Sequence, residues 1–273
     1  MTIGDVSEKG YKMHMKHLAR KVVIGITPPL ATALFNKIAY RKNDAFVHSD
    51  SKVQSDEYIT WLCWILGGFL TPEHGNLRAF DHAVRHMPAG GAMLEIGSFL
   101  GLSTNIIAYL TIKYHRDNPF FTCDPWIFEN TDKPVGGYFD VSSEAFRDYA
   151  KRIFMENAII FSGAKKPKSI EAYSDQFFEL WHLGSTTEDV FGRLVTLGGP
   201  ISFAYIDGAH TYNAAKGDFL GVAQHLLPGG FIFFDDSADD SGWEVTRVIA
   251  EVKQNPSYEI VFNTPNYLFR KRD

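Results

Sequence analysis

Short apolar runs alternate with helical stripes along most of the chain. Ala92-Met93-Leu94-Glu95-Ile96 is a compact apolar run, and the stretch from Ser103 to Lys113 repeats its apolar residues at helical spacing. Phe120-Phe121-Thr122-Cys123 reads as a second buried strand, closed by Asp124-Pro125. Further strands are expected at Glu179 to His182, Ile201 to Ile206 and Phe231 to Phe234. Helices are expected between them, over Thr187 to Leu194, Tyr212 to Leu227 and Trp243 to Gln254. Two last strands, Glu259 to Phe262 and Tyr267 to Arg270, flank the hairpin signal Asn263-Thr264-Pro265-Asn266. This alternation predicts an α/β fold: a doubly wound, Rossmann-like, mostly parallel seven-stranded sheet with an antiparallel C-terminal hairpin.

The pattern differs upstream. Residues 1–87 read as an N-terminal helical region ahead of a main domain over 88–273, with Thr71-Pro72-Glu73 as a fresh helix start and Trp61 and Trp64 as core. From Lys9 through Asn43 there is no acidic residue, while Lys9, Lys12, Lys16, Arg20, Lys21, Lys37, Arg41 and Lys42 are basic. Thr27-Pro28-Pro29 splits this leader into two short amphipathic helices. Such a leader serves either as a dimer arm or packed helix, or as a foot on an anionic membrane face. A homo-oligomer is expected. Within the main domain, the polar and helical stretch from about 130 to 177 reads as a cap insertion, aromatic through Phe146, Tyr149, Phe154 and Phe161.

Composition narrows the classes. The chain of 273 residues is 45% hydrophobic and carries a formal net charge of -5, which excludes a disordered chain and argues against a nucleic-acid binder. Cys63 and Cys123 cannot staple a protein of this size. No run reaches the ~18 apolar residues of a membrane span, and the N-terminus lacks a secretory pattern. The expected compartment is the cytoplasm, at the inner membrane face if the leader binds lipid.

Chemistry concentrates at three strand ends. Glu95-Ile96-Gly97-Ser98-Phe99-Leu100-Gly101 closes the first strand and opens a helix, where open α/β sheets bind cofactors. Gly97 lets backbone approach a ligand, Gly101 starts the helix tightly, and Ser103 with the helix N-terminus offers donors to an anionic group. The spacing is not that of a dinucleotide fingerprint. Glu95 would repel a pyrophosphate and suits a ligand with a positive end. Asp124, directly after the second strand, is placed to accept hydrogen bonds from ribose hydroxyls. Asp207 and the pair Asp235-Asp236 end two neighbouring strands, so they converge at one sheet edge. Clustered carboxylates repel one another unless a cation sits among them, and oxygen-only ligands suit Mg²⁺. His210, three residues beyond Asp207, is a general-base candidate because imidazole titrates near neutrality.

At these residues the sequence resembles the class I S-adenosylmethionine-dependent methyltransferases, most of all the metal-dependent O-methyltransferases of the catechol type and those acting on macrolide and glycan sugars. The carriers are LEIGSFLGLST, IDGAHTY and LLPGGFIFFDD. The resemblance implies that Glu95, Gly97, Phe99, Gly101 and Ser103 surround the methionine part of the cofactor. It further implies that Asp124 binds the ribose, that Trp126 borders the adenine and that Gly184-Ser185 meets its ring. Asp207, Asp235 and Asp236 match the metal ligands, and His210 matches the catalytic histidine of the sugar enzymes, where catechol enzymes carry lysine. The implied activity is Mg²⁺-dependent methyl transfer to a sugar or glycan-like hydroxyl. A catechol-type or natural-product acceptor is the alternative within enzymes, and a silent cofactor-fold scaffold the alternative outside them.

Overall fold

Apolar runs without polar alternation must be covered on both faces, which calls for helices on either side of a sheet. A computed structural model of the protein describes residues 56–70, 75–127 and 141–273. The chain runs α1 (Glu57–Ile65), α2 (Asn76–His86), β1 (Ala92–Ile96), α3 (Leu102–Lys113), β2 (Phe120–Cys123), α4 (Ser143–Phe161), β3 (Lys168–Ile170) and α5 (Ser174–His182). It continues through β4 (Thr186–Glu188), β5 (Leu194–Thr196), β6 (Ile201–Ile206), α6 (Tyr212–His225), β7 (Leu226–Phe234), α7 (Val245–Gln254), β8 (Tyr258–Asn263) and β9 (Tyr267–Lys271).

Seven strands form one sheet in the order β3-β2-β1-β6-β7-β9-β8. The first five are parallel, and β9 runs antiparallel to both β7 and β8. The strand order reverses between β1 and β6, which opens a crevice at their carboxyl ends. One face packs Leu94, Phe121, Ala204 and Phe234 under Phe177, Trp181, Val222 and Val248 of α5, α6 and α7. The other packs Met93, Phe203, Tyr205 and Phe233 against Leu62, Phe80 and Ile106 of α1, α2 and α3. Phe80 stands edge-on to Phe203, Tyr205 and Phe233, and so locks α2 to the sheet.

Several sequence expectations need correction. Glu179 to His182 is not a strand but the last turn of α5, because Phe177 and Trp181, four residues apart, bury together on one helical face. Thr187 to Leu194 is not a helix but most of the β4–β5 hairpin. Its turn is tied by the Asp189 carboxylate, which accepts from the Phe191 and Arg193 amides and from the Arg193 guanidinium. Within the described residues, the stretch read as a cap insertion holds α4, the edge strand β3 and the start of α5; β3 pairs with β2 at the sheet edge, and α4 packs its Ala150 and Phe154 with Leu100 and Trp126. Trp61 and Trp64 are not core: α1 buries Ile59 and Leu62 and leaves the tryptophans 47% and 72% exposed. The leader and Thr71-Pro72-Glu73 lie outside the described residues. Among the described residues no helix is long and apolar enough to cross a membrane.

Candidate functional site

Backbone geometry forces the cofactor loop into shape. Gly97 sits at φ +82°, and a Cβ there would lie 2.0 Å from the Asp207 carbonyl oxygen. Only glycine lets the ends of β1 and β6 approach this closely. Glu95, fully enclosed beneath the loop, accepts hydrogen bonds from Ser103 Oγ and Thr104 Oγ1, each 2.5 Å, and so ties β1 to the first turn of α3. Burial pushes its carboxyl up to about 8, against the pull of those two hydroxyls. Ser103 therefore spends its hydroxyl on Glu95. The buried Ser98 Oγ has no partner, a polar group of the kind a bound ligand satisfies.

Asp124 organises the same loop. Its Oδ2 accepts from the Ser98 and Phe99 amides at 2.7 and 2.9 Å, and its Oδ1 from the Trp126 amide at 2.6 Å. Burial raises its pKa while these three amides lower it. One of a carboxylate's roughly four acceptor positions stays open for a ribose hydroxyl. Trp126 is a different case: it has no exposed surface, donates Nε1–H to Phe99 O and packs on Phe154. It wedges the loop from beneath and has no free face for an adenine. Ser185 is not at this edge either. Its backbone pairs with Leu197, and the adjacent Gly184 touches Gly198, ahead of the start of β6. The sheet, five residues long at β1, puts the two edges ~16 Å apart.

Asp207, Asp235 and Asp236 do converge, and His210 joins them. His210 Nε2 lies 3.0 Å from Asp236 Oδ2 and 4.0 Å from Asp207 Oδ1. The carboxyls of Asp207 and Asp235 sit well above the usual range, first through burial in a recess walled by protein and then through the neighbouring acids. A third of the Asp207 side chain still meets solvent, so the recess is open to a ligand. Burial raises Asp236 too, opposed by His210.

Two partners of this cluster are missed by the sequence reading. Asn76, at the start of α2, donates Nδ2–H to Asp235 Oδ1 at 3.3 Å, and Asn266 donates to the same oxygen. Asn266 also accepts from the Ser237 and Ala238 amides and so fixes the loop after β7. Its place in the turn Asn263-Thr264-Pro265-Asn266 was the only signal; Asn76 gave none.

Among the described residues no three His, Cys, Asp or Glu groups stand where they jointly hold a metal ion. Asp235 Oδ1 is engaged by two amides and Asp236 Oδ2 by His210. The donor chemistry is nevertheless that of a hard cation site: three mutually repelling carboxylates beside Asn76, whose buried Oδ1 has no partner. Binding a cation would require these carboxylates to turn from their present partners.

The family model described as a methyltransferase domain matches residues 94–237, from β1 past the end of β7. Among solved structures, CalS11, a calicheamicin methyltransferase, aligns over 100% of both chains at 13% identity with a TM-score of 0.50. The O-methyltransferase NovP covers 75% of this chain and 81% of its own at 12% identity and a TM-score of 0.49. TomG, an O-methyltransferase from Streptomyces achromogenes, covers 89% and 99% at 15% identity and a TM-score of 0.44. At such identities the likeness to CalS11 is one of fold. The comparison with curated proteins gives no match. With more than half of its length matched by the family model, its strand order and its glycine loop, the chain belongs to the methyltransferase-domain family and is a class I, S-adenosylmethionine-dependent methyltransferase.

Proposed function

We propose that this methyltransferase transfers the methyl group of S-adenosylmethionine to a hydroxyl of a sugar or glycan-like acceptor, with Mg²⁺ at the acidic cluster. The observation that carries the reading is the contact of Gly97 with the Asp207 backbone, which sets the cofactor loop and the acid–histidine cluster back to back. Ser98 and the start of α3 would receive the methionine end, with Glu95 holding that turn from beneath, and Asp124 would bind the ribose. Asp207, Asp235 and Asp236 would hold the cation. When bound, a divalent cation supplies positive charge that lowers the pKa of an acceptor hydroxyl. Once Asp236 turns to the cation, His210 would offer an unprotonated ring nitrogen as the base. The hydroxyl proton passes to that nitrogen as the acceptor oxygen bonds to the methyl carbon and the carbon–sulfur bond breaks. Incubation with methyl-labelled S-adenosylmethionine and a panel of glycosides, sugar nucleotides and catechols tests this. A labelled methyl ether on a sugar supports the proposal; labelled catechol without labelled sugar would replace the acceptor class, and no labelled ether would reject oxygen transfer.

A further inference from the structure

We infer that Trp243 is the acceptor subsite, its exposed indole face taking the apolar C–H face of a neutral pyranose ring beside His210. This rests on the O-methyl-transfer reading above. Single exposed apolar side chains are ordinary on protein surfaces; what sets Trp243 apart is its place. It belongs to the loop between β7 and α7 that also carries Asp235 and Asp236. Its ring lies 4.6 Å from the His210 ring, centroid to centroid, yet 48% of the residue remains exposed. The loop around it is pinned. The Glu244 carboxylate accepts from the Tyr212 amide at 2.8 Å, Asp236 holds His210, and the Trp243 carbonyl accepts from Thr246 Oγ1 at 2.9 Å. The indole N–H has no acceptor among the described residues. The result is an apolar plane on a pinned loop, with a free donor on its edge, next to carboxylates and an imidazole.

A pyranose presents the matching surface. Its axial C–H groups are weakly positive and favour the negative face of an indole ring, while its rim hydroxyls donate to carboxylates. A sugar seated on Trp243 would bring a rim hydroxyl beside His210, whose ring stands 4.6 Å from the indole. Trp243 thus acts on acceptor affinity and orientation, away from the cofactor loop.

The test uses methyl glycosides of rhamnose, glucose, mannose and galactose, with catechol as the flat acceptor lacking an aliphatic ring. Binding is read by calorimetry on protein saturated with S-adenosylhomocysteine, and turnover by methyl transfer, for the wild type, Trp243→Phe and Trp243→Ala. For a methylated glycoside, Trp243→Ala should raise both KM and Kd at least tenfold, with a smaller fall in kcat. Trp243→Phe should keep both within about threefold, and S-adenosylhomocysteine affinity should stay unchanged in both. Should Trp243→Ala fail to bind S-adenosylhomocysteine, Trp243→Leu is read in its place. Glycoside KM and Kd within twofold of wild type in the ring-less variant would overturn the assignment. Methylation of catechol but of no glycoside would overturn the pyranose while sparing oxygen transfer. Failure to methylate any acceptor by protein that still binds S-adenosylhomocysteine would overturn the O-methyl-transfer reading, and this inference with it.

Discussion

Replacing Glu95 by glutamine isolates the cost of the buried acid beneath the cofactor loop. In the folded protein this carboxyl titrates at about 8, against 4.5 for an ordinary glutamate. Between those two values the folded state holds a proton that the unfolded chain has released. Stability therefore falls as pH rises, by about 1.4 kcal/mol per pH unit. The penalty is absent below pH 4.5 and complete above pH 8; over the whole window it reaches about 5 kcal/mol as an upper bound. Glutamine has the same shape, cannot titrate, and offers an oxygen and an amide to the Ser103 and Thr104 hydroxyls. Urea unfolding of both proteins between about pH 5 and pH 9 measures the difference. The other raised carboxyls are common to both proteins, so they cancel to the extent that they do not couple to Glu95. The variant should gain on the wild type steadily as pH climbs and then level off above about pH 8. Parallel stability curves would refute the reasoning, because Glu95 would then titrate alike in folded and unfolded chains.

Gly97→Ala should lower melting temperature and abolish cofactor binding together, because its Cβ meets the Asp207 carbonyl at 2.0 Å; calorimetry with S-adenosylhomocysteine and a thermal melt check it. Asp124→Asn turns one acceptor oxygen into a donor facing backbone amides, so S-adenosylhomocysteine affinity should fall by about 1–3 kcal/mol, read by the same titration. His210→Gln should cut turnover by about 10²–10⁴-fold without recovery at high Mg²⁺, since on the proposed reading the lost group is the base and not a cation ligand. Steady-state rates across a Mg²⁺ series check that, and near-parent turnover would demote His210 to a loop residue.

Much of the fold was legible where the chain punctuates itself. β1, β2 and β6 are wholly apolar or nearly so and stop at Gly97, Asp124-Pro125 and Asp207-Gly208, so their ends, and the residues there, were found. The segment 177–197 misled because aromatic residues at positions 177, 178 and 181 suit a strand as well as a helix. The turn of the β4–β5 hairpin is tied by the Asp189 side chain rather than by a strong local pattern. Ser185 and Trp126 follow only from the family resemblance, and tertiary packing puts the first at the opposite sheet edge and the second under Phe99. Asn76 reaches Asp235 across 159 residues, a separation no local periodicity encodes. Trp61 and Trp64 looked like core because their size suggests burial, while the spacing of Ile59 and Leu62 chose the other face of α1.

On the proposed reading, Asp207, Asp235 and Asp236 hold a divalent cation that turns an acceptor hydroxyl into a nucleophile. Methyl transfer by the wild-type enzyme is best measured before chelation, after EDTA treatment and removal of the chelator, and after Mg²⁺ is returned. Turnover should be lost on chelation and restored by Mg²⁺, and Asp235→Asn should require more Mg²⁺. Undiminished methyl transfer by the chelated enzyme would contradict it.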